Sequence, residues 1–289
     1  MNKICFFNHY HNGDIFHSKS FIEEIINSID FKFAYAHSNH PDLLKDLEIE
    51  YQEVPTISHS VRFFEYNDTL YVNTWIGSYF VEGEKYYGEC TLRFSYEMFS
   101  KIYDELNRRF NCNLKLSSIN NYIPSIDYSK FNISNIDNYI KENSNKKILF
   151  CNGPCLSGQC RYHGDMQPII DSLAKKYQDI TFITTHKLET EFKNVKFSGD
   201  IIKSPGCDLN EIGYLSTFCD LIVGRNSGPF CFSTNKQNIN NPNINFYAFG
   251  EDITACFLYE IDISCFFVFE YFSELKNIEL SIDKLISEL

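Results

Sequence analysis

The sequence predicts an α/β protein built as two Rossmann-like domains facing a cleft. Three observations predict it. Short apolar runs alternate with stretches of helical periodicity, the pattern of a parallel sheet with crossover helices. The alternation stops at a polar linker, Lys141-Glu142-Asn143-Ser144-Asn145, and restarts with a new first strand. The length, 289 residues, suits two small domains at roughly 150 residues each. We therefore expect an N-terminal domain over 1–145 and a C-terminal domain over 146–289 that ends in a helix.

The elements follow in order. Ile4-Cys5-Phe6-Phe7 reads as the first strand, and Asn8 to Asp14 as a polar loop. Phe21-Ile22-Glu23-Glu24-Ile25-Ile26 has apolar positions at helical spacing. Phe31 to Ala36 is a second strand, and Thr69 to Gly77 a strand running into a glycine turn. Tyr96 to Phe110 is helical and ends on Arg108 and Arg109, which suit the negative end of a helix. Pro124 breaks structure ahead of the linker. In the second half Lys147 to Cys151 is a strand, and Asn152 to Gly158 a loop of small residues. Met166 to Tyr177 is a helix and Ile180 to Thr184 a strand. Val195 to Ile202 carries a short strand, Asn210 to Phe218 a helix, Leu221-Ile222-Val223 a strand, and Phe272 to Leu289 the terminal helix.

Composition excludes several classes of function. Hydrophobic residues make up 44%, enough for a real core. The net charge of −12 and the lack of a basic patch argue against binding nucleic acid or anionic lipid. No apolar run approaches the 18–20 residues of a membrane span, and the apolar start of the chain is too short for a signal-peptide core. A cytoplasmic protein is expected. The 11 cysteines lack paired metal-ligand spacings and read as reduced, mostly buried thiols. Cys151, Cys155 and Cys160 fall close together near His163, but without a CxxC unit.

Three loops carry the candidate chemistry. In the first, Gly13 permits a turn, and Asp14 follows at the mouth of strand one, where its carboxylate can take a proton from a hydroxyl. The alternative is that Asp14 caps the following helix. His9, His11 and His17 crowd the same segment; His11 is the reserve base, and a metal site is the other option there. In the second loop a buried strand ends in Gly224 and presents Arg225-Asn226-Ser227-Gly228. Ser227, backbone N–H groups and Arg225 can hold a diphosphate, with Gly228 giving it access. The alternative is an ordinary turn. The third loop, Asn152 to Arg161, is neither a Walker A nor a GxGxxG motif, and it offers Ser157, Gly158 and Arg161 to the same anion.

Gly13-Asp14, with Ser20 and Ile22 on the helix after it, resembles the N-terminal Gly-Asp loop of the ADP-heptose heptosyltransferase family. The stretch Asp220 to Phe230 resembles that family's C-terminal strand and its Asp-Ser-Gly-Pro loop. The likeness implies a GT-B glycosyltransferase, metal-independent, inverting and without a cofactor. It would move a sugar from a nucleotide-diphosphate donor to a hydroxyl of a glycan or glycolipid. It places the catalytic aspartate on Asp14 and the phosphate contacts on Asn226, Ser227 and Gly228. The family's acidic residue is Asn226 here, its histidine after Gly-Pro is Cys231, and the nearest match for its basic residue in the loop opening the second domain is Arg161. Two other functions remain on the same fold: a nucleotide-sugar 2-epimerase, which needs further cleft carboxylates, and a non-catalytic binder of nucleotide sugar or protein.

Overall fold

The computed structural model describes residues 1–9, 11–38, 40–53, 56, 61–77, 91–153, 165–225, 227–250, 258, 261–271 and 274–289. The chain divides into two compact units, Met1–Ser125 and Ile126–Leu289, each with its own sheet.

In the first unit β1 (Lys3–Asn8), β2 (Lys32–His37) and β3 (Glu50–Gln52) are parallel, and β5 (Thr69–Asn73) lies parallel to β1 on its other side. β4 (Phe63–Tyr66) is antiparallel to β5. The sheet order is β3-β2-β1-β5-β4, so the chain changes direction between β1 and β5. β4 and β5 form a hairpin through Asn67 and Asp68, both at positive φ (46° and 58°), as a two-residue turn matched to strand twist requires.

α1 spans Asn12–Ser28 and packs Ile15, Phe16, Phe21, Ile22 and Ile25 into the core; each such side chain contributes about 1.5–3 kcal/mol on burial. The sequence reading places Gly13 and Asp14 in a loop ahead of the helix. The structure corrects this: both lie in the first turn, and His11 is the N-cap residue. The helix begins early because Asn8 Oδ1 accepts the His11 N–H at 3.1 Å, which turns the chain straight out of β1.

α2 (Thr91–Phe110) packs on α1. Phe21 lies between Phe99 and Tyr122, with parallel rings at 4.5 and 4.0 Å. The segment that ends this unit runs along α1. Tyr122 OH donates to Glu24 at 2.5 Å, Ser20 Oγ donates to Ile123 O, and Lys19 Nζ donates to Ser125 O. Lys19 also forms a fully buried ion pair with Asp46, in the turn Lys45–Leu47.

Among the described residues the second unit has six parallel strands: β6 (Lys147–Cys151), β7 (Thr181–Thr184), β8 (Val195–Phe197), β9 (Leu221–Gly224), β10 (Asn245–Gly250) and β11 (Phe266–Tyr271). Their order is β11-β10-β9-β6-β7-β8. Counted from β6, this is the 3-2-1-4-5-6 order of doubly wound sheets, with the change of direction between β6 and β9. The helices are α3 (Ser134–Glu142), α4 (Gln167–Lys176), α5 (Ser198–Ile202), α6 (Leu209–Ser216), α7 (Gly228–Ser233), α8 (Lys236–Ile239) and the terminal α9 (Leu275–Glu288). Residues 126–145 pack in this unit: Tyr214 OH donates to Asp137 at 2.7 Å and Asn135 Nδ2 to Ile202 O at 3.1 Å.

Asp220 fixes the strand starts. Its carboxylate accepts the Lys147 N–H at 2.8 Å, and its own N–H donates to Lys147 O at 2.8 Å. At the other end a Cβ on Gly224 would lie 2.7 Å from that of Cys151, so only glycine lets β9 close on β6 there. No helix among the described residues is long and apolar enough to cross a membrane.

Candidate functional site

Both changes of direction place loops at the C-terminal ends of strands, where sheets of this kind bind ligands. In the first unit these are the ends of β1 and β5. Asp14 is buried, 7% exposed, in the first turn of α1. Loss of water pushes its carboxyl up from 3.8 to about 7, opposed by the Ile76 N–H that donates to it. Its Oδ2 has no hydrogen-bond partner among the described residues.

Three histidines lie on α1 and at the end of β2, and burial lowers the pKa of each. His11, half-buried, lies parallel to Trp75 with ring centroids 6.0 Å apart, and burial pushes it below its ordinary value. His17, one turn along α1, is lowered to about 3. His37, at the end of β2, is lowered to about 4, first by burial, against backbone hydrogen bonds to Ser38 and His11 that raise it. All three are neutral near pH 7 and add no positive charge to these strand ends. Among the described residues no three metal-ligating side chains come together, and His9 instead meets Phe7 edge-on at 5.5 Å.

In the second unit the ends of β6 and β9 carry the other loops. Arg225, 3% exposed, donates from Nη2 to Gly153 O at 3.0 Å and so ties the loop after β9 to the loop after β6. Ser227 is the extended N-cap residue of α7, and its side chain makes no capping bond. Its buried Oγ has no hydrogen-bond partner among the described residues. Gly228 and Pro229 open the helix, proline being suited to a first turn that needs no N–H. An open groove of about 570 Å³ lies at the opposite strand ends, beside Asn145 and Thr181.

Of the residues singled out from sequence, His11, Gly13 and Asp14 come together on α1, and Arg225, Ser227 and Gly228 at β9 and α7. Asn226, Ser157 and Arg161 lie outside the described residues, as do Cys155, Cys160 and His163. Sequence reasoning missed Trp75, Ile76 and His37. The signal for the first two was present: the chain's one tryptophan follows an apolar strand and precedes a glycine.

No protein-family model matches the sequence, and no curated protein matches it either. Solved structures do match. The fold is similar to that of E. coli ADP-heptose LPS heptosyltransferase II, with a TM-score of 0.52 and 12% identity over all of both chains. It is also similar to E. coli heptosyltransferase WaaC, solved with ADP and with ADP-2-deoxy-2-fluoro heptose, with a TM-score of 0.52 and 9% identity over 99% of each chain. The chain therefore shares the GT-B-type α/β fold of these proteins along its whole length.

Proposed function

We propose that this chain is a metal-independent, inverting glycosyltransferase of GT-B form, with two Rossmann-like domains facing a cleft. Its donor is a nucleotide-diphosphate sugar, and its acceptor a hydroxyl of a glycan or glycolipid. One observation carries the reading: a buried carboxylate, Asp14, stands at the mouth of the first sheet with one oxygen unpartnered and a pKa near neutrality, as a general base working near pH 7 needs. The full-length likeness to enzymes solved with ADP and an ADP-sugar supports the donor class.

In this mechanism Asp14 takes the proton of the acceptor hydroxyl. The freed oxygen attacks the anomeric carbon on the face opposite the leaving group, and the bond from that carbon to the diphosphate oxygen breaks. The nucleoside diphosphate leaves with three negative charges, one more than it carried in the donor. Arg225, Ser227 Oγ–H and the neighbouring Asn226 and Gly228 receive them, with Ser157 and Arg161 closing on the same group. The histidines around Asp14 stay neutral and so leave it free to ionise and reprotonate with the reaction.

The test is transfer and donor hydrolysis over a panel of nucleotide sugars, with and without EDTA. Asp14→Asn keeps the side chain's size, and its kcat should fall about 10²–10⁴-fold with donor affinity intact. If Asp14→Asn keeps its rate while His11→Ala loses it, the base is His11. If both keep it, the assignment of the first loop is wrong.

A further inference from the structure

Asp14 does not hold its own geometry. Within its helix, among the described residues, the side-chain bond it takes part in falls on its backbone and not on its carboxylate: Ser18 Oγ donates to Asp14 O at 2.8 Å. Among the described residues the donor to its carboxylate is the Ile76 N–H, which comes from the other side of the sheet's change of direction, three residues beyond the end of β5. What fixes the position of Ile76 therefore fixes the carboxylate.

Asn73, the last residue of β5, is fully buried. Asparagine is disfavoured in strands, and a buried amide must be hydrogen-bonded, so its side chain needs a reason to be there. Its Oδ1 accepts the Trp75 N–H at 2.9 Å, folding the chain into a two-residue side-chain turn. Its Nδ2 donates to Val61 O at 3.0 Å, and its backbone N–H to Arg62 O at 2.8 Å. Thr74 completes the anchor: its N–H and Oγ1 donate to Phe7 O at 2.9 and 3.2 Å. The turn is thus tied on one side to the segment before β4 and on the other to β1, the strand that leads into Asp14.

We propose that Asn73 is the positioning residue of the Asp14 carboxylate, by closing the 73–75 turn that presents the Ile76 N–H to it. This rests on the reading of Asp14 as the base, but its central test needs no activity. In wild type, His11 and His17 from α1 and His37 at the end of β2 are lowered by burial and neutral over the range in which Asp14 titrates, and His40 lies against His37 with ring centroids 5.4 Å apart. The titration therefore reports mainly burial and the Ile76 donor.

The experiment is a carboxyl-carbon NMR titration of Asp14 in the full-length protein, labelled at aspartate and assigned by the signal missing in Asp14→Asn. Asn73→Ala should move the Asp14 midpoint up by about one pH unit, the scale of one hydrogen bond lost by a charged group. Asn73→Ser, whose hydroxyl can still accept the Trp75 N–H, should restore the wild-type midpoint. An unchanged midpoint in Asn73→Ala overturns the proposal. Equal shifts in both variants also overturn it, because the tie to Val61 would then be what matters. If Asn73→Ala does not fold, Asn73→Gln decides. It keeps a buried amide but sets its oxygen one methylene too far for the turn, so an upward shift supports the proposal and no shift overturns it. In the transfer assay Asn73→Ala should lower kcat about tenfold with the donor KM unchanged. Normal transfer by Asp14→Asn would instead defeat the reading of the base and leave the Asn73 titration result standing.

Discussion

The two strand-end sites differ in the kind of charge they carry. Around the ends of β1 and β5 burial moves the ionisable groups: Asp14 up to about 7, His17 down to about 3, His37 down to about 4. At β6 and β9 the charge is a guanidinium, a fork of fixed donors, beside a serine hydroxyl and the start of a short helix. One site is suited to gaining and losing protons, the other to meeting an anion with fixed donors. Two sheets with related winding thus reach opposite electrostatic character through a few residues at their ends, while their cores remain ordinary packed apolar layers.

The comparison breaks most clearly on the stability of Asp14→Asn. The folded state holds the Asp14 proton up to about pH 7 and the unfolded state releases it near 3.8. Between those values the native state binds more protons, so this group's contribution to stability falls as pH rises. Asn carries no such cost. Asp14→Asn should be more stable than wild type at pH 8 by up to about 4 kcal/mol, and equal to it below pH 4. Paired denaturant titrations at the two pH values measure this. A difference that does not depend on pH would mean the carboxyl is ionised without penalty.

Arg225 should behave in the opposite way. Arg225→Met removes the tie to Gly153 and should cost about 1.5–3 kcal/mol, the same at pH 5 and pH 8. Affinity for a nucleoside diphosphate, read by calorimetry, should fall about tenfold or more if the group meets the anion. Full retention of affinity would reduce Arg225 to a structural bolt.

The smallest effect sharpens the first site alone. His17 is neutral in the folded state down to about pH 3, whereas an unfolded histidine binds a proton near 6.5. Here the unfolded state binds more protons, so stability is lost as pH falls below 6.5, the reverse of Asp14. His17→Gln should remove about 2 kcal/mol of the loss seen at pH 5. An unchanged acid limb would show that His17 is protonated in the fold.

Much of this was legible in the sequence. β1, β2, β6, β7 and β9 are unbroken apolar runs, the signature of strands covered on both faces. The start of α1 was not legible, because Asn12 and Gly13 are poor helix formers and tertiary packing of Ile15 and Phe16 overrides their propensity. β3 is three residues, Glu-Tyr-Gln, with no apolar signal. β10 and β11 could have been read: aromatic runs follow the turn around Pro242. Asp14 and Arg225 stood out by their place after strands. Asn73 and Trp75 did not, since what they do depends on Val61 and Asp14, far from them in sequence.

The contacts that run down α1 also make a ruler. Lys19 holds the carbonyl of Ser125, where the first unit ends, and Asp14 stands five residues earlier on the same rigid rod, about 7.5 Å along its axis. The point of departure of the chain is thereby gauged against the carboxylate through a single helix. A protein engineer exchanging second units between such chains would do well to splice after Ser125. A junction upstream of Tyr122 would discard the gauge and strand the Lys19–Asp46 pair without its third member.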